Sequence, residues 1–97
     1  MKEVTEEKID KYLGITDEAL RRITAKKGLT QGLDDMPKLF LDMIRRYLSD
    51  AKHYKEKGDY VTAFAAVNYA HGWLDSGVKV GLFDVEEGSE SYVMPSG

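Results

Sequence analysis

The chain has 97 residues and no cysteine. That removes disulfides, thiolate metal sites and a cysteine nucleophile together. It holds one glutamine, Gln31, and one asparagine, Asn68. Few labile amides and no cysteine are what heat-adapted proteomes tend to show. No apolar run approaches the roughly 18 residues of a membrane span. The opening, MKEVTEEKIDKY, is acidic and polar where a signal peptide is apolar. The expectation is a cytoplasmic chain with no membrane partner. Positive charge is not in excess: the net charge is −3. No overall basic field exists to draw in nucleic acid, so nucleic acid is not an expected partner.

What is present describes one small globular domain. An apolar fraction of 42% and a charged fraction of 32% suit one core under a well-solvated surface. Periodicity predicts three helices and little else. The first spans about residues 5–27. Thr5 can cap it, Glu6 and Glu7 suit its positive end, and Gly28 stops it. Its apolar stripe is Ile9, Tyr12, Leu13, Thr16, Leu20 and Ile23. Gly14 is a soft point inside it, and two short helices with Thr16 as the second cap are the alternative. Leu29 and Leu33 in the following loop are expected to plug the end of the bundle.

Asp34-Asp35 ahead of Pro37 then reads as a helix start, with a capping carboxylate. The second helix is expected over 36–57, with Phe40, Met43, Ile44, Tyr47, Leu48, Ala51 and Tyr54 buried. Asp42, Arg46 and Asp50 alternate in sign at i,i+4 on its solvated side. The turn KGDY follows. Gly58 can take a left-handed conformation and Asp59 can cap the third helix, over 60–80. So short a linker makes the second and third helices antiparallel neighbours. The predicted fold is all-α, an antiparallel up-and-down three-helix bundle over 1–83. Residues 84–97, DVEEGSESYVMPSG, read as an acidic, flexible tail.

The third helix carries the candidate chemistry, in NYAHGWLDSG. The helix is apolar around most of its circumference, as one packed against two partners would be. Asn68, His71 and Asp75 follow i, i+3, i+7 and share one side. Gly72 beside them weakens the helix, and a glycine there usually has a packing or binding reason. Asp75 sits near a helix C-terminus, where negative charge is unfavourable by roughly 0.3–1 kcal/mol. The candidate binding residues are therefore Asn68, His71, Gly72, Trp73 and Asp75. The structural alternative pairs Asp75 with Arg45, Arg46 or Lys79, or makes it a cap before Val78. It leaves His71 a core histidine with a hydrogen-bond partner and Trp73 a core anchor. Six tyrosines and one tryptophan are many for so small a domain. Such rings are enriched at the energetic centres of interfaces. Tyr54, Tyr69 and Trp73 are the candidate interface residues.

No catalytic residue, metal site or cofactor is expected. His53 and His71, the two histidines, lie well apart along the bundle, and no metal-ligand spacing is present. No serine or threonine has a histidine at a suggestive spacing. GLTQG lacks the Lys-Ser/Thr of a phosphate loop. Arg21, Arg22, Lys26 and Lys27 form a small basic patch that suits helix-end solvation.

Three resemblances follow from particular residues. Ala51 to Ala70, AKHYKEKGDYVTAFAAVNYA, is similar to one tetratricopeptide hairpin, but no second copy is present to build a solenoid. Arg46 and His53, with six residues between them, resemble the Arg–His pair of the HEPN helical domains, some of which are ribonucleases. Asp50 to Phe83 resembles the archaeal family known as domain of unknown function 357. Ala51 and Tyr54, Gly58-Asp59, Tyr69-Ala70, Gly72-Trp73-Leu74-Asp75 and Gly81 to Phe83 carry that likeness. It implies a three-helix bundle from an archaeon, a cytoplasmic location and no assigned activity. The function expected is a non-enzymatic protein-interaction or accessory module, with an unknown protein or a second copy as partner. The rivals are a small-molecule- or nucleotide-binding protein, or an enzyme, using the polar site on the third helix, and a HEPN-like RNA-acting domain.

Overall fold

The computed structural model describes residues 3–30 and 32–89. Three helices carry the fold: α1 (Glu6–Arg21), α2 (Met36–Glu56) and α3 (Tyr60–Lys79). Two three-residue strands, β1 (Ile23–Ala25) and β2 (Phe83–Val85), close one end. Consecutive helices are antiparallel, so α1 and α3 run the same way. Glu6 bonds Tyr60, Tyr12 packs on Phe64 and Thr16 meets His71 in that order.

Local chemistry accounts for most boundaries. The Thr5 hydroxyl accepts from the Lys8 N–H at 3.2 Å, and α1 runs through Gly14 as one helix. Asp59 caps α3 by accepting from the Thr62 N–H at 3.1 Å. Gly58, at φ 81°, makes the turn before it. Asp35 occupies the N-cap position of α2 without a side-chain cap. The physical reason lies in the backbone: Asp35 is already in the helical region at φ −88° and ψ −8°, whereas a capping side chain reaches the second or third helical N–H from an extended residue. Pro37, at the second position, has no N–H to offer.

The first helix ends six residues earlier than its periodicity predicts. The stripe continues in phase through Ile23, but Ile23-Thr24 is β-branched and pairs with β2 instead. The register is Ile23 with Val85, Thr24 with Asp84 and Ala25 with Phe83. Lys26 N–H to the Leu82 carbonyl and Glu86 N–H to the Arg22 carbonyl extend the ribbon. The expected tail therefore begins inside a strand. Ser89 is buried and accepts from the Arg22 guanidinium at 3.2 Å. Residues 90–97 of that tail lie outside the described residues. Leu29 packs against the core as expected, whereas Leu33 is 47% exposed and plugs nothing.

The core runs along the bundle axis. Ile9 and Leu13 from α1, Ile44 and Leu48 from α2, and Val67 and Leu74 from α3 lead it. Ala51, Ala63 and Ala70 are fully buried and let α2 and α3 approach closely. These two helices pack most extensively, and α1 lies against them. Leu82 and Phe83 cover the ribbon end.

Candidate functional site

The five candidate binding residues divide between two places. Asn68, Gly72 and Trp73 line an open hollow of about 420 Å³ on the outside of α3, with Phe40, Tyr69 and Ser76. His71 and Asp75 turn toward α1. The predicted single constellation is not assembled, because a shared side at i, i+3, i+7 spans enough of the helix to reach both solvent and seam.

At the seam, Thr16 Oγ1 and His71 Nδ1 lie 3.0 Å apart. Asp75 Oδ1 is 3.9 Å from His71 Nε2 and is buried without a hydrogen-bond partner. The carboxylate favours the tautomer with its proton on Nε2. Nδ1 then accepts from the Thr16 hydroxyl. Sequence spacing gives no hint of this hydroxyl, which sits 55 residues away in the α1 stripe. Hydroxyl, imidazole and carboxylate stand in the order of a hydrolytic triad. Thr16, however, is 1% exposed, so no substrate reaches Oγ1. The arrangement joins α1 to α3. Asp75 makes no ion pair with Arg45, Arg46 or Lys79, and α3 continues through it to Lys79.

Burial raises the Asp75 carboxyl above its ordinary value, against the opposing pull of His71 and Lys79. A raised carboxylate binds its proton more tightly when folded. Its contribution is therefore most favourable below the unfolded value near 3.8 and is lost as pH rises through the folded one. Asp75→Asn is expected to stabilise the fold at pH 7 by on the order of 1 kcal/mol, since it removes a buried unpaired charge. Thermal melts of both proteins from pH 3 to 8 check this. The gap should open as pH rises from the acid end.

The second place is broader. α3 carries no charged residue from Tyr60 to Leu74. Its outward row is Ala65, Tyr69, Gly72 and Ser76, all exposed. Across the seam, Tyr47 stacks on Tyr69 with centroids 5.4 Å apart, and Phe40 meets Trp73 edge-on at 4.9 Å. Tyr69 is 62% exposed, while Tyr54 and Trp73 are half-buried. The next row of α2 is Leu39, Met43, Arg46 and Asp50, at steps of four, three and four. Arg46 and Asp50 are exposed and form no ion pair among the described residues. Of the expected ladder, Asp42 pairs instead with Lys38, one turn earlier, at 3.6 Å. Phe40 and Tyr47, expected in the buried stripe of α2, are only half-buried and join this face with Ser76, although none of the three is a candidate site residue from the sequence. Alternation of exposed small and aromatic residues on α3 is the signal that locates it.

Other features assemble less. Arg46 and His53 are both exposed on α2, and the His53 ring packs edge-on against Tyr54 at 5.2 Å. Among the described residues no group of three His, Cys, Asp or Glu side chains is placed to hold a metal ion, and no helix is long and apolar enough to cross a membrane.

Fold and surface together define a small three-helix bundle with an aromatic two-helix face. The chain belongs to the family described as Protein of unknown function (DUF357), whose profile matches residues 11–83. The fold is similar to the crystal structure of protein AF1782 from Archaeoglobus fulgidus, which carries the same family description. That likeness has a TM-score of 0.67 and 29% identity, over 82% of this chain and 91% of that one. No curated protein matches the chain.

Proposed function

We propose that this chain is a non-enzymatic protein-interaction or accessory module of the cytoplasm whose contact surface is the α2–α3 aromatic face. The carrying observation is Tyr69: a large ring, 62% exposed, on a helix face without charge in a chain that is 32% charged. Aromatic anchors in a charge-depleted patch are what protein interfaces use. Gly72 fits the same reading. A Cβ added there meets nothing within 4 Å, so packing inside the chain does not require the glycine. The lack of cysteine makes no demand for an oxidising compartment.

One observation favours a second reading. The hollow beside Gly72 offers Asn68 and Ser76 as polar groups to a small molecule. The candidate carboxylate and imidazole are not part of it.

The experiment is capture of the tagged chain from lysate of its native host, with Tyr69→Arg, Asp75→Asn and Asn68→Ala beside wild type. A stoichiometric protein, an untagged copy of this chain included, should be kept by Asp75→Asn and lost with Tyr69→Arg. A nucleotide, small molecule or RNA lost only with Asn68→Ala would overturn the reading.

A further inference from the structure

We infer that the occupant of the α2–α3 face is a second copy of this chain, docked about a two-fold axis that crosses α2 beside Tyr47 and Tyr69. This rests on the reading of that face as a contact surface. The argument is charge complementarity. Arg46 and Asp50 are the charged members of the outer α2 row and have opposite signs. Both lack an ion-pair partner among the described residues. In a two-fold contact each position meets the position reflected through the axis. An axis perpendicular to α2 and level with position 48 lays α2 antiparallel on the α2 of the second copy. Arg46 then meets Asp50 of the second copy, and Asp50 meets its Arg46. One opposite pair spaced i,i+4 thus becomes two reciprocal ion pairs.

The same axis passes the Tyr47–Tyr69 stack, because α2 and α3 are antiparallel and those rings share a level. Tyr69, the most exposed Phe, Tyr or Trp ring among the described residues, therefore falls at the centre of the contact, where interface energy concentrates. The remaining members of the face are neutral, so a chain of net charge −3 meets itself there without like-charge repulsion. Area points to a weak dimer. Two helices side by side, each about 30 Å long and about 10 Å wide, present at most roughly 600 Å². Standard interfaces bury about 800 Å² per partner, and weak ones less.

The test is sedimentation velocity of the full chain between about 1 µM and 1 mM, the range that brackets weak dimers. Wild type should show a concentration-dependent dimer. Arg46→Asp alone and Asp50→Arg alone should each weaken it by about tenfold or more, because both reciprocal contacts become repulsive. An equimolar mixture of the two single variants should restore a mixed dimer, and the double variant should restore its own. Both substitutions are on exposed positions, so circular dichroism should be unchanged. A wild type that stays monomeric throughout, or single variants that the mixture does not rescue, would overturn the inference. A monomer that still loses a captured protein on Tyr69→Arg would overturn the second copy while keeping the contact surface. A monomer that captures nothing through this face would remove both.

Discussion

Phe83→Ala is expected to cost about 3–5 kcal/mol of stability, the range for deleting a buried aromatic ring. Phe83 is 3% exposed and is the first residue of β2. Its ring lies against Gly77 of α3. A Cβ at Gly77 would stand 2.7 Å from Cδ2 of Phe83, closer still to its Cε2, and 3.2 Å from Cδ2 of Phe40. Glycine there lets the ribbon close onto the end of the bundle. Loss of the ring leaves a void at that junction and also frees the strand that pairs with Ile23–Ala25. A domain of this size has about 5–15 kcal/mol in all, so the variant should be close to unfolding. Urea denaturation measures the loss, and amide exchange at Ile23–Ala25 should accelerate. Gly77→Ala attacks the same contact from the other side. Overpacking should cost it about 1–3 kcal/mol. A change under about 1 kcal/mol for Phe83→Ala would mean that the ribbon is not fastened by this ring.

Ile44→Ala should lose about 2–5 kcal/mol. Ile44 is fully buried at the middle of α2, within the most extensive packing of the bundle. Removing three carbons there leaves a cavity that two long helices cannot readily collapse. The neighbouring face supplies the contrast. Leu39 is 49% exposed, and Leu39→Ala should stay within about 0.5 kcal/mol of wild type in the monomer. Paired urea titrations separate the two sites. The first residue holds the fold together, while the second is available to something outside it.

Much of the architecture is legible along the chain because its signals are local. Gly58 and Asp59 set the α2–α3 hairpin, and Thr5 starts α1, each through bonds to neighbours within four residues. The end of α1 is not legible in that way. Ile23 continues the helical period, and only Phe83–Val85, some 60 residues on, offers it a strand partner. Period alone cannot weigh a distant pairing. The same limit applies at the seam. Thr16 reads as one more member of the α1 stripe, and nothing in its surroundings announces His71. Asn68, His71 and Asp75 look like one cluster because spacing gives direction to only about a quarter-turn. The packing of α1 decides which of them it covers. The aromatic face is half legible. A surplus of tyrosines predicts that some must show, and the structure leaves Tyr69 outside while drawing Tyr54 and Trp73 partly inward.

Trp73 is the single tryptophan and lines the hollow on the α2–α3 face, so its fluorescence reports that face alone. The most direct measurement is acrylamide quenching of Trp73 across the concentration range of association, for wild type and Tyr69→Arg. Wild-type quenching should fall as the second copy covers the face, and Tyr69→Arg should keep the dilute value throughout. Quenching that is independent of concentration in wild type would contradict the account.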